Sequence, residues 1–167
     1  MQTISAASGS GNDFRPRFEG LSSAEVSRTG IVEFGVGING GRLNFTMHDV
    51  VGNFVRFDEQ ERRRFLAIEA DSKLELRLSD DVDWTFDFSL KGDDGDSSPL
   101  RLKDEGAVDY YKVSRLDQSN KRILVEARKS GFESWTPHAF NIYVLIEQRL
   151  GEALPIRIDP IVDNPPK

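Results

Sequence analysis

Three groups of side chains in this sequence have types and spacings that suggest chemistry. The first is acidic. Asp80-Asp81-Val82-Asp83 and Asp93-Asp94-Gly95-Asp96 gather carboxylates into two short stretches. Hard cations such as Ca²⁺ take roughly six to eight converging oxygens, which makes Asp93, Asp94 and Asp96 the candidate metal ligands. Counted from Asp94, the oxygens of Asp96, Ser98 and Glu105 follow the spacing of an EF-hand loop, but Pro99 stands where that loop needs glycine. The stretch Trp84–Leu90 between the two acidic runs reads as one strand and would hold them about 20 Å apart, so they cannot share an ion. Polar connecting loops are therefore the simpler expectation.

The second group is Gly35-Val36-Gly37-Ile38-Asn39-Gly40, which matches the dinucleotide pattern G-x-G-x-x-G. That pattern holds a pyrophosphate only where its glycines open a helix. Here Gly41-Arg42-Leu43-Asn44-Phe45-Thr46 follows and reads as strand, so a hairpin turn is expected. The third group is the histidines, His48 and His138. A hydrolytic triad would set one of them beside a nucleophilic serine and a carboxylate, yet no G-x-S-x-G elbow presents a serine. Nothing singles out a carboxylate pair for glycoside hydrolysis among the 28 acidic residues. The reading is a protein without enzymatic chemistry and without a cofactor.

Aromatic side chains offer a different function, a platform for a sugar ring or a peptide. Trp84 alternates in register with Phe86 and Phe88 and is expected in the core. Trp135 and Phe132 lie in the loop Gly131–Pro137, where a large aromatic is either tucked onto the core edge or shown to a partner. Tyr110 and Tyr111 are adjacent in a strand and must point to opposite faces. Tyr111 is read as the outward one, because Val108 and Tyr110 share the other face. The candidate binding residues are Trp135, Tyr111 and Phe132.

Composition narrows the partners. The chain has 167 residues, a net charge of −6 and no cysteine. An acidic balance disfavours phosphate backbones, which are bound by neutralising lysines and arginines. Arg62-Arg63-Arg64 follows Glu59 and Glu61 and reads as an ion-paired surface. Without cysteine there are no disulfides, thiol nucleophiles or thiolate zinc sites. The first residues show no basic-then-apolar signal, and no apolar run reaches 18 residues, so the expectation is a cytoplasmic protein without membrane or nucleic-acid partners. The sequon Asn44-Phe45-Thr46 is then accidental.

The elements that must carry these residues are mostly strands. Residues 1–29 read as a loosely ordered leader, pinned near Phe14 and Phe18. Residues 30–163 read as a single domain and 164–167 as a proline-rich tail. Ile31–Val36 and Arg42–Met47 flank the Gly40-Gly41 turn. Leu74, Leu76 and Leu78 alternate with Lys73, Glu75 and Arg77, and Trp84–Leu90 alternates likewise. Val108–Ser114 and Arg122–Ala127 form two further strands, and Phe140–Ile146 is apolar on both faces, as a central strand is. One helix is expected over 58–66, capped by Asp58, with Glu59 and Glu61 at its positive end and Phe57, Phe65 and Ile68 turned to the core. Seven or eight short strands without alternating helices predict an all-β chain. Its expected form is an antiparallel β-sandwich, immunoglobulin-like or jelly-roll-like, with that one short helix.

Two segments carry a resemblance. Leu76-Arg77-Leu78-Ser79-Asp80-Asp81-Val82-Asp83-Trp84 is a strand, an acidic turn and a tryptophan. Phe140-Asn141-Ile142-Tyr143-Val144 leads to Ile158-Asp159-Pro160-Ile161-Val162. Together they resemble small bacterial β-sandwich proteins of the inclusion-body (PixA/AidA) type. The resemblance covers about a fifth of the chain, carries no catalytic residue, and implies a non-enzymatic protein that accumulates or assembles. The leading expectation is a bacterial protein acting by binding or self-assembly, with a protein partner or a second copy. A carbohydrate or small-ligand module, assisted by Ca²⁺ at Asp93–Asp96, is the second. A hydrolase or nucleotide-processing enzyme with a diffuse site is the third.

Overall fold

The computed structural model describes residues 18–60, 62–89, 98–102, 111–129, 136–147, 151–158 and 161–164. The described chain is all-β, with twelve strands and no helix. Five of them make one sheet in the order β2-β1-β5-β9-β8. They are β1 (Arg28–Asn39), β2 (Arg42–Val51), β5 (Ser72–Leu78), β8 (Tyr111–Arg115) and β9 (Arg122–Ala127). Gly40 and Gly41 close the β1–β2 hairpin at φ 59° and 78°. Two successive positive φ angles define the turn whose twist suits a two-residue hairpin. The G-x-G-x-x-G stretch is thus the end of a strand and its turn, with no helix for a phosphate to meet.

The second sheet is built around β10 (Thr136–Ile146). Along one margin β10 keeps a single antiparallel register with β11 (Leu154–Ile158) and then β12 (Ile161–Asn164), Ile142 facing Ile158 and Ala139 facing Ile161. Along the other it takes β6 (Trp84–Phe86) opposite Val144–Ile146 and β7 (Leu100–Leu102) opposite Phe140–Ile142. Tyr143 lies between them. Its N–H donates to the Pro99 carbonyl at 2.7 Å and its carbonyl accepts from the Asp87 N–H at 2.9 Å. β4 (Arg63–Ala67) pairs with β12, and β3 (Val55–Asp58) forms the far edge. Both sheets are mixed, because β1–β5 and β12–β4 run parallel. That corrects the purely antiparallel expectation.

Period-2 alternation decides what is buried. In β5, Ser72, Leu74, Leu76 and Leu78 are buried while the charged residues between them are not. Val32 and Phe34 of β1, Ile123 and Val125 of β9, Trp84 and Phe86 of β6, and Ile142 and Val144 of β10 join them in one core cluster. Both sheets therefore contribute to a single apolar interior. The sheets are also tied by main chain, since the Phe86 N–H donates to the Asn120 carbonyl in the β8–β9 turn at 2.7 Å.

The described residues of the 58–66 stretch are strand and turn, not helix. The Asp58 carboxylate accepts the Gln60 N–H at 2.9 Å, two residues on, and Arg62 adopts φ 54°. An aspartate bonding its own chain two residues later makes a turn rather than a helix cap. The acidic and arginine-rich stretch closes a hairpin, with Asp58 opposite Arg63. Phe57 is exposed, Phe65 half-buried, and Leu66 with Ile68 enters the core. Among the described residues no helix is long and apolar enough to cross a membrane.

Candidate functional site

The sequence-based candidates fare unevenly. Tyr111 is buried, 5% exposed, which reverses its outward assignment. It opens β8 opposite Ala127, whose side chain points inward, so Tyr111 and Val113 face the core. A strand's faces exchange when its parity shifts by one residue. Trp135, Phe132, Asp93, Asp94 and Asp96 lie outside the described residues, as does Phe14. Trp84 is fully buried, as its alternation required.

The first acidic run is structural. Asp81 Oδ2 accepts the Val36 N–H at 3.2 Å and the Ser79 hydroxyl at 2.8 Å. Asp80 sits 3.6 Å from Lys121 Nζ. No group of three metal-ligating side chains occurs among the described residues. His48 lies on the outward face of β2, with Nε2 3.6 Å from Glu33 Oε1.

The outward face of the five-stranded sheet carries an ionic row. Glu75 is shared by Arg77 (2.7 Å) and Arg122 (3.3 Å), and Arg122 reaches Asp117 at 2.9 Å. The Ser119 hydroxyl and then Arg122 hold the Asp117 carboxyl below its ordinary value, while Asp117 and then Glu75 raise Arg122. The row is charge-balanced and partly solvated, so it orders this face without creating an ion site.

The most distinctive surface lies where the edges of both sheets meet in the chain. Among the described residues, β2 is the edge of one sheet and β3 the edge of the other, and residues 52–54 join them. Sequence reading missed this link. Asp49 accepts the N–H groups of Phe54 (2.8 Å) and Val55 (3.1 Å). Arg28 and Arg56 both donate to the Asn53 carbonyl at 2.9 Å, and Arg56 also pairs with Glu69. Phe54 plugs the core beneath the Arg28 guanidinium, 4.5 Å from its ring centroid. The fixed link leaves Val50 (44%), Val51 (52%) and Phe57 (44%) exposed, three of the five large apolar side chains exposed among the described residues. A strand edge offers unpaired main-chain groups, and adjoining apolar side chains add buried area to any strand laid there. Its sequence signal is slight: the strand read as Arg42–Met47 runs on through Val50-Val51, and Phe57, expected to face the core beside a helix over 58–66, is exposed. No protein-family model matches this chain, and comparison with curated proteins returns no match.

Proposed function

We propose that this chain is a non-enzymatic β-sandwich protein that works by binding or self-assembly, using the β2–β3 edge as its contact surface. The carrying observation is the pair of consecutive edge strands with Val50, Val51 and Phe57 exposed along a rigid link. A sandwich of immunoglobulin-like or jelly-roll-like type is supported by the single core cluster drawn from both sheets. Edge pairing supplies main-chain hydrogen bonds, and the apolar side chains supply the burial that makes the contact hold. A second copy presents the same edge and is the simplest partner, since most soluble assemblies are homo-oligomers.

Size-exclusion chromatography with light scattering at two concentrations tests the proposal. Assembly that grows with concentration, and is lost in a Val51→Glu/Phe57→Glu variant, is the expected result. An 18.8 kDa monomer at both concentrations would overturn self-assembly. Assembly unchanged in the double variant would remove the β2–β3 edge as its surface.

A further inference from the structure

The segment ahead of β1 is seated like a bound peptide. Phe18 and Leu21 are buried although neither belongs to a strand. The Leu21 N–H donates to Glu126 Oε2 at 2.6 Å, Lys112 Nζ donates to the Glu19 carbonyl at 3.0 Å, and the Arg128 guanidinium lies 4.9 Å from the Phe18 ring centroid. Glu126 points away from the core, between Lys73 and Lys112 on the neighbouring strands, yet it is 8% exposed because the segment covers it. Gly20 adopts φ 106°, and a Cβ there would run into the Glu126 carboxylate. The β8–β9 face therefore has the parts of a peptide-recognition site: a carboxylate for a backbone N–H, a lysine for a carbonyl, an aromatic seat under an arginine, and a position that admits only glycine. Charge is complementary too, with Glu19 and Glu25 on the segment and Lys73, Lys112 and Arg128 on the face.

We propose that this site accepts residues 18–21 of a second copy in exchange for its own, so that copies are joined by reciprocal N-terminal arms. The proposal rests on the self-assembly reading above. The site lies on β8, the edge strand of its sheet among the described residues, and on its neighbour β9. The link from Ser22 to Ser27 is mostly exposed and held by a local turn, in which Glu25 Oε1 accepts the Ser22 N–H at 2.9 Å and the Ser22 carbonyl accepts the Glu25 N–H at 3.0 Å. Exchange keeps the described contacts of residues 18–21 and redirects the link, which is the condition for low-cost swapping.

The test uses the full chain and a fluorescein-labelled synthetic peptide of residues 17–25, read by anisotropy. Phe18→Ala weakens the resident arm, so the peptide should bind this variant about tenfold more tightly than the wild type, whose site is mostly occupied. The same peptide carrying Gly20→Val should bind neither. Equal affinity for wild type and Phe18→Ala, or equal binding of the two peptides, overturns the proposal. Circular dichroism checks folding, and Gly20→Val in the full chain empties the site by a second route should Phe18→Ala not fold. Native mass spectrometry of mixed isotope-labelled and unlabelled wild-type chains then reads the exchange. Mixed dimers that disappear with Phe18→Ala support it. Mixed dimers that persist with Phe18→Ala but vanish with Val51→Glu/Phe57→Glu overturn arm exchange and leave the proposed function standing.

Discussion

The carboxylate of Asp49, near the end of β2, accepts the backbone N–H of Phe54 at 2.8 Å and so fixes how the chain leaves one sheet and enters the other. The same carboxylate accepts the Val55 N–H at 3.1 Å. One acidic side chain thereby orients Phe54 into the core and leaves Val50, Val51 and Phe57 on the outside.

Replacing Asp49 with alanine should cost about 1–3 kcal/mol, because two main-chain donors at a partly buried link lose their acceptor. Asp49→Asn keeps one acceptor oxygen and should cost less. Urea denaturation of the three proteins at neutral pH measures the order. Equal midpoints for wild type and alanine would show that the link holds without this carboxylate.

Gly30→Ala tests the packing behind that link. A Cβ on Gly30 would run into the Phe54 ring and come within 2.7 Å of the Val51 carbonyl oxygen. Overpacking of this kind costs about 1–3 kcal/mol. The closest clash is with the Phe54 ring, so part of the penalty should be relieved in a Phe54→Leu background while the part from the Val51 carbonyl remains, and a double-mutant cycle reads that coupling. Additive losses would place the strain elsewhere.

Much of this fold was legible because local pattern and burial agree. Arg122–Ala127 is a strand with the bounds its sequence suggested, and Leu74, Leu76 and Leu78 face inward as their alternation required. The stretch 58–66 misled because Asp58 followed by acids suits a helix cap and a hairpin turn equally, and only pairing with β3 decides between them. Tyr111 misled because its face depends on which residue opens β8, and Ala127 across the ladder fixes that parity. Of the seat for residues 18–21 only Phe18 was legible, as a residue pinning the leader; its partners across the sheet were not. Leu21 and Glu126 are 105 positions apart, and a glutamate in a strand reads as solvent-facing until something covers it.

Trp84 joins a core role to a hydrogen-bonding one. Its indole N–H donates to the Ser79 carbonyl at 2.7 Å, and its ring stacks with Phe45 at 6.2 Å between centroids. Trp84→Phe leaves a cavity and an unpaired carbonyl, a loss of about 2–4 kcal/mol. Far-UV circular dichroism in urea measures it without relying on tryptophan emission. A shift below about 1 kcal/mol would mean that the Ser79–Asp81 turn finds another donor.

Asp117 gives the chain an acid-sensitive element on the outward face. The Ser119 hydroxyl (2.5 Å) and then the Arg122 guanidinium (2.9 Å) hold its carboxyl below the ordinary 3.8. A carboxyl depressed in the folded state adds stability that is present at pH above its unfolded value. That stability drains away as pH falls from there through the lower folded value, because the unfolded chain takes up the proton first. Asp117→Asn should therefore be less stable than wild type near neutrality, with the gap narrowing steadily once the pH falls below about 4. Urea midpoints of both proteins across that range read the gap directly. The group is exposed and salt screens it, so the gap should also shrink in high salt at neutral pH. A gap that stays constant with pH would mean that the asparagine fails through geometry rather than through lost charge.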